Sequence, residues 1–413
     1  MTSEFERNLE KYAEVIVKVG ANLQPGQRLM IDSPPEAYPL IRQIVKAAYL
    51  AGAKYVAVNW YDDELQRFRV QHAPVETFGE FDAWFTDALV EYLDHGDPIM
   101  HVDARNPALM SGVDAQKVQA WQQSEGLHKR KLRSKIVASV APWPMVSAPI
   151  TSWAVKVFPE AAVDEAVARL WDAIFQACRI NQDDPVGGWK RHNAELKKRA
   201  AYLNGRRYAA LKYSAPGTEL TVGLPDSNIW HGGSLMAQTG IEFVNNIPTE
   251  EVHTMPHKDR IDGVVTSTMP LSYGGNLIEN FTLKFSAGKV VEATAKTGQD
   301  TLDNILNTDP ASRSLGEVAL VPHSSPISQS GLVFYNTLFD ENASDHLALG
   351  NAYRFSIEGG EGMTAEEFAA AGGNVSLSHV DFMIGSRVMN IDGITADDAV
   401  EPVMRNGEWA FDV

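Results

Sequence analysis

Between Tyr335 and Tyr353 the chain gathers Asp340, Glu341, Asp345 and His346 among enough apolar residues for the segment to be largely buried. Carboxylates crowded beside an imidazole away from water must neutralise or find a counter-charge, and a divalent cation is one that satisfies all of them together. Matching donors lie elsewhere in the chain. Glu250 and Glu251 follow Pro248-Thr249, and Glu317 is a lone carboxylate in the apolar run Leu315-Gly316-Glu317-Val318-Ala319-Leu320-Val321. Ser378-His379-Val380-Asp381-Phe382-Met383-Ile384 alternates polar with apolar residues, so an extended strand would carry His379 and Asp381 on one face.

Each cluster alone has a plainer reading. Paired glutamates on an exposed loop are usually solvated, a buried carboxylate needs only a partner, and a single histidine can pack or cap within a core. Together, Glu251, Glu317, Glu341, His346, His379 and Asp381 make four carboxylates and two imidazoles, a set suited to zinc, cobalt, manganese or magnesium. A catalytic zinc takes three protein ligands and keeps one position open, so six donors imply two ions sharing a carboxylate, about 3.5–4 Å apart. The chemistry expected of such a centre is hydrolysis by an activated water.

The elements that must position these groups differ between the two halves of the chain. From Tyr208 onward short strands alternate with turns: 208–213, 219–222, 263–267, 281–285 and 290–295, with turn signals such as Pro216-Gly217 and Gly274-Gly275 between them. This predicts a mostly-β, α+β catalytic domain over 205–413. A helix over Ala343–Tyr353 would set His346 and Tyr353 on the same side, two turns apart. The N-terminal part, 1–204, alternates strands (28–32, 55–60, 98–102, 135–140) with helices (5–19, 39–50, 81–93, 116–123), the pattern of an α/β domain with a parallel sheet flanked by helices. Helices over 161–180 and 189–203 lead into the second domain. No glycine-rich phosphate loop follows any of the strands, so no nucleotide cofactor is expected.

Composition narrows the function classes. The 413 residues are 44% hydrophobic and 22% charged, ordinary values for a soluble globular protein of two or three domains. With 36 Lys+Arg against 53 Asp+Glu the net charge is -17, which argues against nucleic acid or an anionic membrane as partner. The basic cluster His128–Arg133 therefore reads as a solvated helix end. Cys178 is the only cysteine, which excludes an intrachain disulfide and a cysteine-based zinc site. Neither a signal peptide nor an apolar run long enough to span a bilayer is visible, and a cytoplasmic location is expected.

The segments Asn246-Ile247-Pro248-Thr249-Glu250-Glu251-Val252, Leu315–Pro322, Phe334–Ser344 and His379–Gly385 closely resemble the M29 family of metallo-aminopeptidases. The likeness runs over nearly the whole chain and is strongest from about Glu242 to Trp409. It implies a two-metal aminopeptidase with the six ligands above, Tyr353 in the active site, and a homodimer acting on peptides with a free N-terminus. On that basis Glu317 is expected to bridge the ions and Tyr353 to donate a hydrogen bond to the oxyanion. Glu317 is also expected to manage the water proton, with Glu250 as the alternative base or as the group that recognises the substrate α-amino group. His253 stands where members often carry an aromatic residue. The same donors could also serve another two-metal amidase or esterase, and a non-catalytic binding protein would have lost the metals.

Overall fold

The computed structural model describes residues 3–413 and divides into two compact units, Met1–His192 with Ser234–Thr249, and Asn193–Gly233 with Glu250–Val413. The first opens with helix α1 (Glu4–Val15), whose start is fixed by a capping box: Ser3 accepts from the Glu6 backbone while the Glu6 side chain accepts from that of Ser3. Strands β1 (Arg28–Ser33), β2 (Tyr55–Trp60), β3 (Ile99–Val102) and β4 (Met145–Val146) form a parallel sheet in the order β2-β1-β3-β4. Helix α2 (Tyr38–Leu50) packs beside β2, and α3 (Asp63–His72) follows that strand. Residues 135–140, expected as a strand, instead begin within the helix Arg130–Val137. Only Leu132 of that helix is buried, so the basic run stays solvated as the last turns of a helical pair.

The second unit holds two antiparallel sheets. The larger has nine strands, with Ala210–Ala215, Thr218–Gly223, Ile261–Thr266, Asn276–Ser286 and Lys289–Thr297 at the places where turn signals bracket β-rich segments. The smaller has five strands, in spatial order His379–Met383, His346–Gly350, Leu315–Leu320, Val252–Thr254 and His231–Gly232. Every candidate ligand belongs to it or adjoins it. The expected helix over 343–353 is not formed, for His346–Gly350 is the second strand of this sheet and Tyr353 lies beyond its end.

The small sheet separates core from chemistry by its period of two. Val252, Val318, Leu320, Leu347, Leu349, Val380 and Phe382 point to one face and join a single large hydrophobic cluster. Ala319 pairs with both His253 and His346, Glu317 with Ala348, and Ala348 with Asp381, while Gly350 pairs with His379. Those registers place His253, Glu317, His346, His379 and Asp381 together on the other face, with Ala319, Ala348 and Gly350 as small residues between them. Gly350 has φ +102°, and a Cβ there would lie 2.2 Å from the Ser378 carbonyl, so a side chain is excluded at the point where the His379 strand must pair.

Candidate metal centre

Two groups of potential ligand atoms form on the polar face and share one residue. Glu251, Glu317 and His346 make the first, and Glu317, His379 and Asp381 the second, with the atoms of each within 4.8 Å of one another. His346 Nε2 lies 3.1 Å from Glu251 Oε2 and 3.9 Å from Glu317 Oε1. His379 Nε2 lies 3.5 Å from Glu317 Oε2 and 3.3 Å from Asp381 Oδ1. The two oxygens of Glu317 thus face different groups.

Both imidazoles are held in one orientation from behind. His346 Nδ1 lies 3.2 Å from the Ser344 carbonyl, and His379 Nδ1 lies 2.7 Å from that of Asn351. A carbonyl only accepts, so in each ring Nδ1 carries the proton and Nε2 is left as the atom facing the carboxylates. This is the tautomer and the backing that metal-ligating histidines use.

The electrostatics of the cluster without a cation are adverse. Burial, with Glu251 and Asp381 adding to it, holds the Glu317 carboxyl above its usual range against the attraction of His253 and His379. Burial followed by Asp381 and Glu251 pushes Glu341 well above the carboxylate range. Burial disfavours charge on Glu251 as well, but His253 and His346 outweigh it and hold that carboxyl well below its usual range. His379 is pushed up to about 9, where Asp381 and Glu317 overcome the penalty of burial. The strongest influences on each of these carboxylates are burial, other carboxylates and imidazoles. A divalent ion is the group that removes the repulsion, and a nitrogen-and-oxygen donor set fits zinc, cobalt, manganese and magnesium.

Of the residues expected from sequence, Glu251, Glu317, His346, His379 and Asp381 are brought together directly. Glu341, 8% exposed, stands outside both groups but acts on them, since Asp381, Glu251, His346 and Glu317 all influence its carboxyl. The Tyr353 ring centroid lies 4.9 Å from that of His379, and its hydroxyl is within electrostatic reach of Glu317, Asp381, Glu341 and Glu251. Glu250 is 3% exposed, buried where an exposed loop would have left it solvated, and it belongs to neither group. Asp340 and Asp345 serve the backbone. Asp340 accepts from the Phe334 and Asn336 amides, and Asp345 from Val321 at the end of the Glu317 strand.

Asn342 emerges only from the structure as a support of the site, and His253, singled out in the sequence as a departure from the family pattern, proves to be a second. Asn342, fully buried, accepts the Glu250 amide at 2.7 Å and donates to the Leu338 carbonyl at 2.9 Å and to Glu341 Oε1 at a longer 3.4 Å. One amide side chain therefore ties the segment carrying Glu250 and Glu251 to the one carrying Glu341. Asn342→Ala is expected to weaken metal binding by about 10- to 100-fold, the usual effect of removing a group that orients ligands. A metal titration followed by competition with a chelator would show unchanged affinity if Asn342 were only filler. His253 Nδ1 lies 3.3 Å from Glu251 Oε1. The signal was available, for Glu251 and His253 stand at i and i+2 like His379 and Asp381.

Comparison with known proteins places these features in a family. The family model described as thermophilic metalloprotease (M29) matches residues 5–409. Aminopeptidase AmpS of Bacillus subtilis (strain 168) is 48% identical over 407 residues, covering 98% of this chain and 99% of that protein. Aminopeptidase 2 of Geobacillus stearothermophilus is 47% identical over 411 residues, with both chains covered in full. The solved structure of wild-type AmpT from Thermus thermophilus superposes with a TM-score of 0.92 at 41% identity, covering 98% of this chain and all of that one.

Proposed function

The chain belongs to the thermophilic metalloprotease family M29, and from that premise we propose that it is a metal-dependent aminopeptidase releasing N-terminal amino acids from peptides through a two-metal centre. The observation that carries the two-metal reading is the sharing of Glu317 between two ligand groups. In this reading Glu251, His346 and Glu317 hold one ion and Glu317, His379 and Asp381 the other, with Glu341 completing the set. The chemistry such ions supply when bound is a water pKa lowered to about 7 and Lewis-acid polarisation of the scissile carbonyl.

The protein groups take the remaining roles. Burial, reinforced by Glu317 and Asp381, raises the Tyr353 phenol well above its ordinary range, so it keeps its proton and can donate a hydrogen bond to the developing oxyanion. Glu317 turns one oxygen to each group and so has little left for proton transfer. That leaves Glu250, whose backbone is fixed by Asn342, to take the water proton or to pair with the substrate α-ammonium group. The peptide partner must then present a free N-terminus, and a homodimer is the assembly we expect.

Elemental analysis of protein purified and supplemented with metal is expected to give about two divalent ions per chain, in keeping with a shared bridging ligand. Leucine p-nitroanilide should be hydrolysed and its N-acetylated form should not. One ion or none would remove the two-metal reading. Equal hydrolysis of both substrates would make the enzyme an amidase of another kind.

A further inference from the structure

The ring of His379 is placed by the carbonyl behind it, and that carbonyl is held by a residue that is not itself a ligand. His379 Nδ1 lies 2.7 Å from the carbonyl oxygen of Asn351, which follows Gly350, the last residue of the strand His346–Gly350. Past the end of a strand the ladder no longer fixes each peptide, so its polar groups must find other partners. The Gly350 amide donates to the Ser314 carbonyl at 2.8 Å, and the Asn351 amide to that of Ser378 at 2.6 Å. The next peptide unit joins the Asn351 carbonyl to the Ala352 amide in one rigid plane, so anchoring one end aims the other. Its amide end donates to the main-chain carbonyl of Asn374 at 2.8 Å.

Asn374 grips the same segment from its other side. The residue is 2% exposed, and its Nδ2 donates to the Gly350 carbonyl at 2.6 Å, to that of Ala311 at 2.9 Å and, at a longer 3.3 Å, to that of Ser314. An amide nitrogen carries two hydrogens, so the three carbonyls share them. Aspartate would turn a carboxylate oxygen toward the same acceptors, which is why a donating side chain is needed here. A Cβ on Gly316 would lie 2.2 Å from the Asn351 carbonyl oxygen, so that oxygen packs directly over the glycine at which Leu315–Leu320 and His346–Gly350 shift register. The backing carbonyl is thus confined by Gly316 and aimed by a peptide that Asn374 anchors.

The other imidazole is held independently. His346 Nδ1 lies 3.2 Å from the Ser344 carbonyl, two residues earlier in its own segment. The carbonyls that the Asn374 side chain holds, those of Ala311, Ser314 and Gly350, do not include it.

We infer that Asn374 is a positioning residue for one ion of the pair, the ion held by Glu317, His379 and Asp381, and that it acts by fixing the segment 350–352 behind His379. The inference rests on the two-metal reading. Its test uses the full-length protein with 15N-labelled histidine, the ring resonances of His346 and His379 being assigned through His346→Gln and His379→Gln. Free zinc is set with a chelator buffer, and both rings should shift in the wild type. In Asn374→Ala, which keeps the main-chain bond to Ala352 and removes the hold on Gly350, the free zinc needed to shift His379 should rise by about 10- to 100-fold, the usual effect of losing a group that orients a ligand. His346 should respond as in the wild type. Asn374→Ser, whose shorter side chain fills more of the space than alanine, is the second variant should Asn374→Ala fold poorly, and the same selective loss is expected of it. Equal weakening at both rings would make Asn374 a general support of the fold, and an unchanged response at His379 would give it no part in the site; either result overturns the assignment while the two-metal reading stands. Zinc that shifts only one ring of the wild type would overturn the two-metal reading and the assignment with it.

Discussion

Glu317→Gln is expected to abolish turnover, lowering kcat by at least about 10³-fold, because the shared ligand is the one residue whose loss disturbs both ions at once. Glutamine keeps the volume and one carbonyl oxygen but replaces the other oxygen by an amide nitrogen that cannot ligate. The side chain is only 7% exposed, so water has little access to take its place. The same substitution should leave the metal-free protein folded. Burial and the neighbouring Glu251 and Asp381 already disfavour charge at this position, so a neutral residue relieves repulsion when no cation is present. Thermal melts separate the two effects. Metal at 100 times its Kd stabilises a protein by about 2.7 kcal/mol. That increment should shrink sharply in the variant, while its metal-free melting temperature equals or exceeds that of metal-free wild type. A variant with two bound ions and a near wild-type rate would remove Glu317 from the mechanism.

The degree to which this centre was legible in the sequence followed from the periodicity around each ligand. His379 and Asp381 could be placed on one face because Val380 and Phe382 alternate with them, and the strand His379–Met383 forms as expected. His346-Leu347-Ala348-Leu349-Gly350 gave no such signal, since every residue of this strand is buried and alanine and leucine also suit a helix. What decides the conformation is pairing with Leu315–Leu320 on one side and His379–Met383 on the other, contacts distant in sequence. The helical expectation placed His346 and Tyr353 on one helix face. In the fold they approach the site from a strand and from the segment beyond it. The burial of Glu250 and Glu251 was hidden for a related reason: nothing local in Pro248-Thr249-Glu250-Glu251 reports that Asn342 will receive the Glu250 amide. The α/β unit was more readable, since its strands and helices alternate with clear stops. Residues 135–140 were read as a strand because β-branched Ile136 and Val137 outweighed the helical continuation of the basic run, and the fourth strand, Met145–Val146, is too short to show a period.

Tyr353→Phe should lower kcat by about 10² or more with both ions retained, the scale on which single oxyanion donors act. The ring makes contacts of its own apart from its hydroxyl. Tyr353 stacks on Phe355 with centroids 5.1 Å apart and an interplanar angle of 12°, and it sits 4.9 Å from His379. Phenylalanine keeps those contacts, so the position of the ring and the ligand orientation of His379 persist. Only a proton donor is lost, held by burial and surrounding carboxylates in its neutral form well beyond neutral pH. A ground-state carbonyl asks little of that donor, whereas an oxygen gaining negative charge asks much, so the loss belongs in kcat and not in KM. Metal content and melting temperature should match the wild type. If kcat is unchanged while KM rises, Tyr353 binds substrate and leaves the oxyanion to other groups. If metal is lost, its role is to support His379. The expected result, a large fall in kcat with ions and stability intact, is reached by neither alternative.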